Sequence, residues 1–289
     1  MVKIRALTPK DIDYVTDSVN REKWGHTRSD VKRCFDLEPN GCFIAEIDRK
    51  PVGHAFSICY GKLGWIGLLI VEKEHREKGI GTELMKASIN YLQRKHAETI
   101  KLEAVPEAVS LYKRLGFKEE FDSLRLSLNL KTTQANVKTK TNIVKSMKEA
   151  DIEKVSAFDS DYFGANRSQI LKALFREYPQ YCFIAEKAGE VLGYIMARQT
   201  TYAYLIAPWV CSPRRKDVAT ALFLACKNAL GTDKTEIRLG APAINKSATT
   251  LLDSLGFQQI SKSIRMIYGR EGVPENIKGV FGIGGPEKG

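Results

Sequence analysis

Hydrophobic and polar positions change period along this chain, and the changes predict alternating strands and helices. Residues 66–71 form a nearly continuous apolar run, which is typical of a strand buried on both faces. A charged stretch with Gly79 and Gly81 follows, and apolar residues then recur at helical spacing from Ile80 to Leu92. The pattern therefore predicts a strand, a glycine-bearing loop and a helix, in that order.

The same two periods predict the other elements of the first 130 residues. A helix over residues 9–20 can be capped by Thr8, and a short helix over residues 107–115 can end at Gly116. Together these elements predict an α/β fold, with a mixed sheet (α+β) and helices on its faces. Strands are predicted at residues 2–7, 41–48, 51–59, 66–71, 100–105 and 123–130.

A repeat with a constant spacing shows that this fold occurs twice. The sequence CFIAE at residues 42–46 recurs at 182–186, and LGF at residues 115–117 recurs at 255–257. Both pairs are offset by 140 residues, so the chain is an internal duplication of one fold.

The repeat and the composition together predict the domain boundaries. Residues 1–130 form the first domain, and the polar residues 131–141 form a linker. The second domain covers residues 142–289. It ends in a glycine- and proline-rich C-terminal extension, which is either an ordered addition or a loose end.

Composition and charge narrow the class of protein. Hydrophobic residues are 43% and charged residues 27% of the 289 residues, as in a globular protein. The formal net charge of +11 raises the hypothesis of nucleic-acid binding, but basic residues are dispersed, apart from short clusters such as residues 214–216. A solvated basic surface that attracts polyanionic ligands is the favoured interpretation, and nucleic-acid binding is the weaker one.

Cysteines, histidines and the N-terminus bear on the compartment. The 6 cysteines are scattered without a CxxC pair, which favours buried free thiols in a reducing compartment. The 4 histidines share no metal-ligand spacing, so we predict no metal site. No apolar run has the length of a membrane span, and the first residues lack the apolar core of a signal peptide. We expect a cytoplasmic protein without a membrane partner.

Two motifs carry the chemistry. A helix that begins after a glycine loop presents free N–H groups and its positive dipole end, which together form an anion site. The loop pattern Arg76-x-x-Gly79-x-Gly81 resembles the pyrophosphate loop of the GNAT superfamily of N-acetyltransferases, which bind acetyl-CoA. The stretch AVSLYKRLGF at residues 108–117 resembles a second GNAT motif, A-[IV]-x-L-Y-x-x-x-G-F, in the place where the family has it.

This resemblance implies a cofactor site in the first copy. The backbone of the fourth strand would pair with the pantetheine arm, and one N–H there would face the thioester oxygen. The loop would wrap the pyrophosphate, mainly through its amides, with added positive charge from its basic side chains. The cofactor-binding residues implied are Leu69, Ile70, Val71, Arg76, Glu77, Lys78, Gly79, Ile80, Gly81 and Thr82.

The resemblance also implies the catalytic groups. Tyr112 would be the general acid that protonates the departing CoA thiolate, although a core aromatic would fit the same helix position. No motif identifies a general base. Glu103 is the first candidate, with Glu72 and Glu74 or a water relay as alternatives, and each carboxylate fits an exposed surface position equally well. The family's asparagine is replaced by Val105, which removes one side-chain contact to the cofactor.

The second copy departs from the family pattern. Aligned by its helix, it has Asp217 at the place of Gly79, and Leu252 stands at the place of Tyr112. It retains the family's Asn-x-x-Ala at Asn245, which the first copy lacks. We expect a degenerate GNAT-like domain with little or no acetyl-CoA binding.

A further stretch of the second copy, residues 159–167, resembles the D-x-x-x-F-G-x-x-R segment of C-terminal GNAT-like domains in tandem acetyltransferases. It fits either of two roles. One is a turn capped by Asp159 or Asp161, with Arg167 starting a helix. The other is a lining of an acceptor pocket or an interface.

The predicted function is transfer of an acetyl group from acetyl-CoA to a primary amine of a small molecule or peptide, by direct attack. The alternative is a non-catalytic acyl-CoA sensor. The second copy would support the structure, shape the acceptor site or mediate homodimerisation.

Overall fold

The fold was analysed in a computed structural model, which describes residues 2–131, 143–271 and 275–289. The first copy has four helices, α1 to α4, and six strands, β1 to β6. The helices are Ile12–Arg21, Arg28–Leu37, Ile80–Arg94 and Val109–Arg114. The strands are Lys3–Ala6, Cys42–Ile47, Lys50–Tyr60, Leu63–Val71, Thr99–Ala104 and Lys118–Asn129.

The second copy repeats this order and adds one short strand. Its helices, α5 to α8, are Ile152–Phe163, Ser168–Glu177, Lys216–Ala229 and Lys246–Ser254. Its strands, β7 to β13, are Val144–Ser146, Cys182–Lys187, Glu190–Gln199, Tyr204–Cys211, Glu236–Pro242, Gln258–Gly269 and Val280–Gly282. The α/β prediction with a mixed sheet and two tandem copies of one fold is confirmed.

Several local predictions are confirmed in the first copy. Thr8 and Asp11 form a capping box in a 3-10 turn that leads into α1. Gly116 ends α4 with a positive φ of 92°, and the N–H groups of Gly116 and Phe117 bond to carbonyls of that helix. Pro106 opens a 3-10 turn directly after β5. The predicted linker lies outside the described residues apart from Lys131.

The chain forms two compact units that are not contiguous blocks. Unit 1 contains residues 1–120, 265–273 and 286–289, and unit 2 contains residues 121–264 and 274–285. This differs from a division at residue 130, because most of β6 lies in unit 2 and the end of β12 lies in unit 1.

Strand pairing explains the exchange. Within unit 2, residues 123–129 of β6 pair antiparallel with all of β11. Within unit 1, the Thr99 hydroxyl donates to the carbonyl of Arg270 at 2.5 Å, and Arg265 binds the Glu103 carboxylate at 2.7 Å. The boundaries at 130 and 142 therefore remain a prediction about the repeated copies and do not delimit the compact units.

The sheet of unit 1 is covered on both faces. β1 to β4 are antiparallel neighbours in chain order, and β5 is parallel to β4. One apolar cluster joins α1 and α2 to the sheet, and it includes Val15, Val31 and Leu68. The other joins α3 to the opposite face and includes Leu84 and Ala55. Packing on both faces explains why the strand at the centre reads as a continuous apolar run.

The segment of residues 159–167 is structural. Asp159 lies within α5, so the predicted turn cap is wrong, and Arg167 directly precedes α6. The Arg167 guanidinium makes a bidentate contact with Asp159, with distances of 2.7 and 2.8 Å. The Tyr194 hydroxyl donates to the same carboxylate at 2.5 Å. All three side chains are buried, so this network joins α5, α6 and β9 inside unit 2.

Among the described residues, no helix is both long enough and apolar enough to cross a membrane.

Candidate functional site

The strands β4 and β5 of unit 1 separate after a short stretch of pairing. They pair in parallel at only four positions, which end at Ile66 and Leu102. We call the region beyond this point, between residues 67–71 of β4 and the end of β5, the β4–β5 cleft. Backbone groups on its walls are available to pair with an extended ligand arm.

A β-bulge shapes the wall of this cleft. Gly67 lies opposite Phe56 and Ile70 lies opposite His54, so two residues of β4 face the single residue Ala55. Leu68, the first bulged residue, has a φ of 47°. A bulge breaks the ladder and turns backbone groups away from the neighbouring strand, so N–H groups of this part of β4 can point into the cleft. This bulge could not be predicted from the sequence, because the residue with the positive φ is a leucine and not a glycine.

The glycine loop leads from this wall into α3. Gly79 precedes the first residue of α3 and has a φ of 80°, in the left-handed region. A Cβ built on it would meet no atom within 4 Å, so the glycine is favoured by its backbone conformation rather than by crowding. Residues 76–79 are exposed. The loop and the N-terminus of this 15-residue helix are therefore accessible from the surface, as the predicted anion site requires.

The basic side chains of the loop have partners within unit 1. The Arg76 guanidinium donates to the carbonyl of Val71 at 2.8 Å and to the Glu22 carboxylate at 2.6 Å. Lys78 donates to the carbonyl of Glu74 at 2.8 Å. Both side chains are on the surface, and these contacts brace the loop. Nothing in the sequence pattern pointed to Glu22.

Tyr112 lies on α4, the short helix that follows β5. Its ring is buried and packs edge-on against Phe117, with centroids 6.0 Å apart. The neighbouring Leu111 approaches Gly81, since a Cβ on that glycine would lie 3.5 Å from its side chain. In the described part of the chain, the Tyr112 hydroxyl makes no hydrogen bond. Burial raises its pKa well above the usual value for tyrosine, so the phenol holds its proton at neutral pH.

The three candidate carboxylates lie in different environments. The side chain of Glu103 is fully enclosed and paired with Arg265, which itself packs over the ring of Trp65 at 4.6 Å. Glu72 accepts hydrogen bonds from the Tyr14 hydroxyl at 3.0 Å and from Arg21 at 2.5 Å.

Glu74, in contrast, is exposed. Arg265 lies 162 residues from Glu103 in sequence, so only the folded chain reveals this pair.

The corresponding space in unit 2 is filled by the chain itself. β10 and β11 pair at two positions only, after which β13 pairs antiparallel with β10. The N–H of Ile283 donates to the carbonyl of Gly240 on β11 at 2.9 Å. The ring of Phe281, on β13, packs against Trp209 at 5.3 Å between centroids. A strand of this chain thus occupies the place that the β4–β5 cleft leaves open in unit 1.

Asn245 holds that strand in place. Its side-chain amide donates to the carbonyls of Ile277, Lys278 and Val280 at 3.0, 3.2 and 2.9 Å. The residue that matches the family's Asn-x-x-Ala therefore binds protein backbone. The sequence shows the Asn-x-x-Ala motif, but it could not show what Asn245 binds, because Val280 is 35 residues away.

The loop of unit 2 also differs. Residues 72–79 separate β4 from α3, whereas only residues 212–215 separate β10 from α7. Asp217, at the place of Gly79, lies inside α7 and pairs with Arg215 at 2.8 Å. Leu252, at the place of Tyr112, is buried. No group of three or more metal-ligating side chains occurs among the residues that the structure describes.

Two family models match the chain. The model described as "Acetyltransferase (GNAT) family" matches residues 11–117, and that described as "Acetyltransferase (GNAT) domain" matches residues 155–282. Together the two matches cover most of the chain, one in each copy.

Relatives and solved structures extend over the full tandem arrangement. The holothin acyltransferase of a Pseudoalteromonas species is 24% identical over 258 residues, covering 89% of this chain and 84% of that protein. An uncharacterized N-acetyltransferase of Bacillus subtilis is 26% identical over 217 residues, covering 75% and 74%.

The crystal structure of a candidate acetyltransferase from Pyrococcus horikoshii superposes with a TM-score of 0.81 at 26% identity, covering 100% of this chain and 96% of that one. A tandem GNAT protein from the clavulanic acid biosynthesis pathway, at 12% identity and a TM-score of 0.66, covers 93% of this chain and 98% of that one and shares the fold. The chain is therefore a member of the GNAT acetyltransferase superfamily with two GNAT domains in tandem.

Proposed function

We propose that unit 1 transfers the acetyl group of acetyl-CoA to a primary amine. The observation that carries this proposal is the contrast between the two copies. Unit 1 keeps an open β4–β5 cleft beside an exposed glycine loop, whereas β13 fills the same place in unit 2. The GNAT matches to both copies and the N-acetyltransferase relatives support it.

Acetyl-CoA would bind along the cleft. The backbone of Leu69, Ile70 and Val71 would pair with the pantetheine arm, and the bulge at Leu68 would help aim an N–H at the thioester oxygen. The amides of residues 76–82 and the positive end of α3 would hold the pyrophosphate.

The chemistry would be direct attack of a neutral amine on the thioester carbon. The C–N bond forms, the C–S bond breaks, and the Tyr112 phenol gives its proton to the departing thiolate. The raised pKa keeps the Tyr112 hydroxyl protonated at neutral pH, so the hydroxyl has a proton to donate to the developing thiolate. Holding both reactants in the cleft would supply the rest of the acceleration.

The remaining question is which group takes the proton from the attacking amine. Glu103 was the first candidate, but its enclosed pair with Arg265 commits it to a structural contact. Water in the open cleft can serve as the proton acceptor and carry the proton to solvent. Replacement of Glu103 by Gln tests this, because a base at that position would be essential for turnover.

Substitution of Tyr112 tests the proposal. Tyr112→Phe should lower kcat for thiol release from acetyl-CoA by about 100-fold, a typical contribution of a general acid. Acetyl-CoA affinity, measured by calorimetry, should stay unchanged. Tyr268→Phe is the matched control, because the Tyr268 ring also packs against Phe117, with centroids 5.3 Å apart.

The outcomes separate the two candidate functions. Equal turnover in Tyr112→Phe and the wild type would remove the tyrosine from the mechanism. Tight acetyl-CoA binding without thiol release across a panel of amines would instead favour the acyl-CoA sensor.

All six cysteines are free thiols, and five of them are buried, which supports the further proposal of a reducing, cytoplasmic compartment.

A further inference from the structure

Residues 286–288 form a turn that belongs to unit 1. The indole N–H of Trp65, on β4, donates to the carbonyl of Pro286 at 3.0 Å. The hydroxyl of Tyr60, at the end of β3, donates to the carbonyl of Lys288 at 2.9 Å. Two strands of the sheet thus hold the backbone of this turn, and this part of the glycine- and proline-rich extension is an ordered addition rather than a loose end.

The turn rests on Gly67, the first residue of the β4 wall of the cleft. A Cβ built on Gly67 would lie 2.5 Å from the Cα and from the carbonyl oxygen of Glu287. Both of these atoms belong to the backbone, so an alanine fits there only if the turn and β4 move apart. Gly67 also stands between the last β4–β5 pair and Leu68, the first bulged residue.

Paired charges fix the turn from the side of the helices. Glu287 and Lys288 are each 2% exposed, and the Lys288 ammonium is paired with one carboxylate oxygen of Glu287. The other oxygen lies 3.6 Å from Nε2 of His26, in the loop between α1 and α2. The side-chain amide of Asn20 donates to the carbonyl of His26 at 2.9 Å, which ties this loop to α1. An enclosed charge is costly unless it is paired, so these contacts favour a single placement of the turn.

The backbone next to this contact is strained. Leu68 has a φ of 47°, in the left-handed region that a residue with a Cβ rarely adopts. Such a residue persists only where its surroundings hold it in place. The Leu68 side chain is held in the apolar cluster with α1 and α2, and the backbone before it is covered by the turn. The direction of the N–H groups after the bulge therefore depends on both contacts.

We propose that the turn of residues 286–288 is a positioning element for acetyl transfer in unit 1. By resting on Gly67, it fixes the bulge at Leu68, and the bulge directs a backbone N–H of β4 at the thioester oxygen. The turn acts through β4 and not by contact with the acetyl group. The inference rests on the proposed function of unit 1. Displacement of the turn should impair the chemical step rather than cofactor binding, because residues 76–82 would still hold the pyrophosphate.

Gly67→Ala tests the contact, because its methyl group pushes the turn and β4 apart. The kcat for thiol release from acetyl-CoA should fall by about 10- to 100-fold, the usual effect of misplacing an oxyanion donor. The dissociation constant of CoA should stay unchanged. Gly193→Ala is the matched control in unit 2, where a Cβ would lie 2.9 Å from the carbonyl oxygen of Val210. It crowds backbone away from the bulge and should lower stability without lowering kcat.

A shortened chain shows whether Gly67→Ala acts through the turn. A chain that ends at Gly285 should lose kcat to a similar extent, and adding Gly67→Ala to it should cause no further loss, because the methyl group no longer meets Glu287. Losses that multiply would overturn the inference. If the shortened chain fails to fold, Tyr60→Phe combined with Trp65→Phe removes both hydrogen bonds to the turn. A kcat equal to that of the wild type in this double variant would also overturn it.

Isotope-edited infrared spectra of bound acetyl-CoA give a readout that does not depend on turnover. A hydrogen bond to the thioester oxygen lowers the stretching frequency of that carbonyl, and Gly67→Ala should return the frequency toward that of free acetyl-CoA. The same lowered frequency in the wild type and in Gly67→Ala would overturn the inference, whether or not acetyl transfer occurs. The expected frequencies without transfer to any amine would instead overturn the proposed function alone.

Discussion

His54 is a titratable side chain enclosed in the core of unit 1. It is fully buried on β3, and its ring meets those of Tyr14 and Phe56 edge-on at 6.1 and 6.2 Å. Burial lowers the pKa of His54 to about 3, because the cationic form loses its hydration. The imidazole is therefore neutral inside unit 1 throughout the physiological range.

This predicts a pH dependence of stability. The folded-state pKa lies below the unfolded value of about 6.5, so the unfolded chain takes up a proton first as the pH falls. The stability contributed by neutral His54 is present above about pH 6.5 and is lost below it, by about 1.4 kcal/mol per pH unit. Urea unfolding at several pH values should show this loss in the wild type.

Matched asparagine substitutions isolate the effect. His54→Asn should reduce the pH slope of the unfolding free energy, whereas His96→Asn, at an exposed position, should leave it unchanged. An unchanged slope in His54→Asn would mean that another group causes the acid sensitivity.

At the scale of elements, the two clefts show how one fold can be used in two ways. β4 and β10 separate from their parallel neighbours at corresponding places, and each carries a bulge opposite the neighbouring antiparallel strand. In unit 2, β13 satisfies the exposed backbone by strand addition, so no ligand is needed. In unit 1, the pairing of β4 with β5 ends at Ile66, and we propose that the side of β4 that β5 leaves there pairs with a ligand.

Asn245 should be a stability determinant of unit 2. Asn245→Ala removes two hydrogen bonds to the backbone just before β13, one to Val280 in β13, and the cap on Ala248. We expect a loss of about 2 to 3 kcal/mol in unfolding free energy. Asn166→Ala is the control, because Asn166 only caps the start of α6 at an exposed position. Equal losses in both variants would show that the contacts to the strand contribute nothing.

At the scale of the whole molecule, the duplication predicts one acetyl-CoA site per chain. Calorimetry should give a single binding site. Gly79→Asp, which copies Asp217, should weaken binding by about tenfold or more, because it adds a negative charge beside the phosphates and strains a left-handed backbone position. Asp217→Gly should not create a second site, since β13 still fills the cleft. Two bound molecules in the wild type would contradict this.

The strand exchange belongs to the same scale. Residues 265–273 contribute Arg265 to unit 1, where it neutralises Glu103. The sequence placed Glu103 at the end of β5 correctly, but it could not show a partner delivered from the other copy. Glu103 became a candidate base because of its position in the sequence, whereas its enclosure depends on Arg265, which is distant in sequence.

Local periodicity, repeated spacing and backbone preferences were enough to predict the fold, the duplication and the contrast between the loops at Gly79 and Asp217. The division of β6 and β12 between the units, the insertion of β13 beside β10 and the pairing of Arg265 with Glu103 became visible only in the folded chain. Those features depend on contacts between distant residues. No local pattern specifies such contacts, because the same short strand or charged pair would also be stable on the surface.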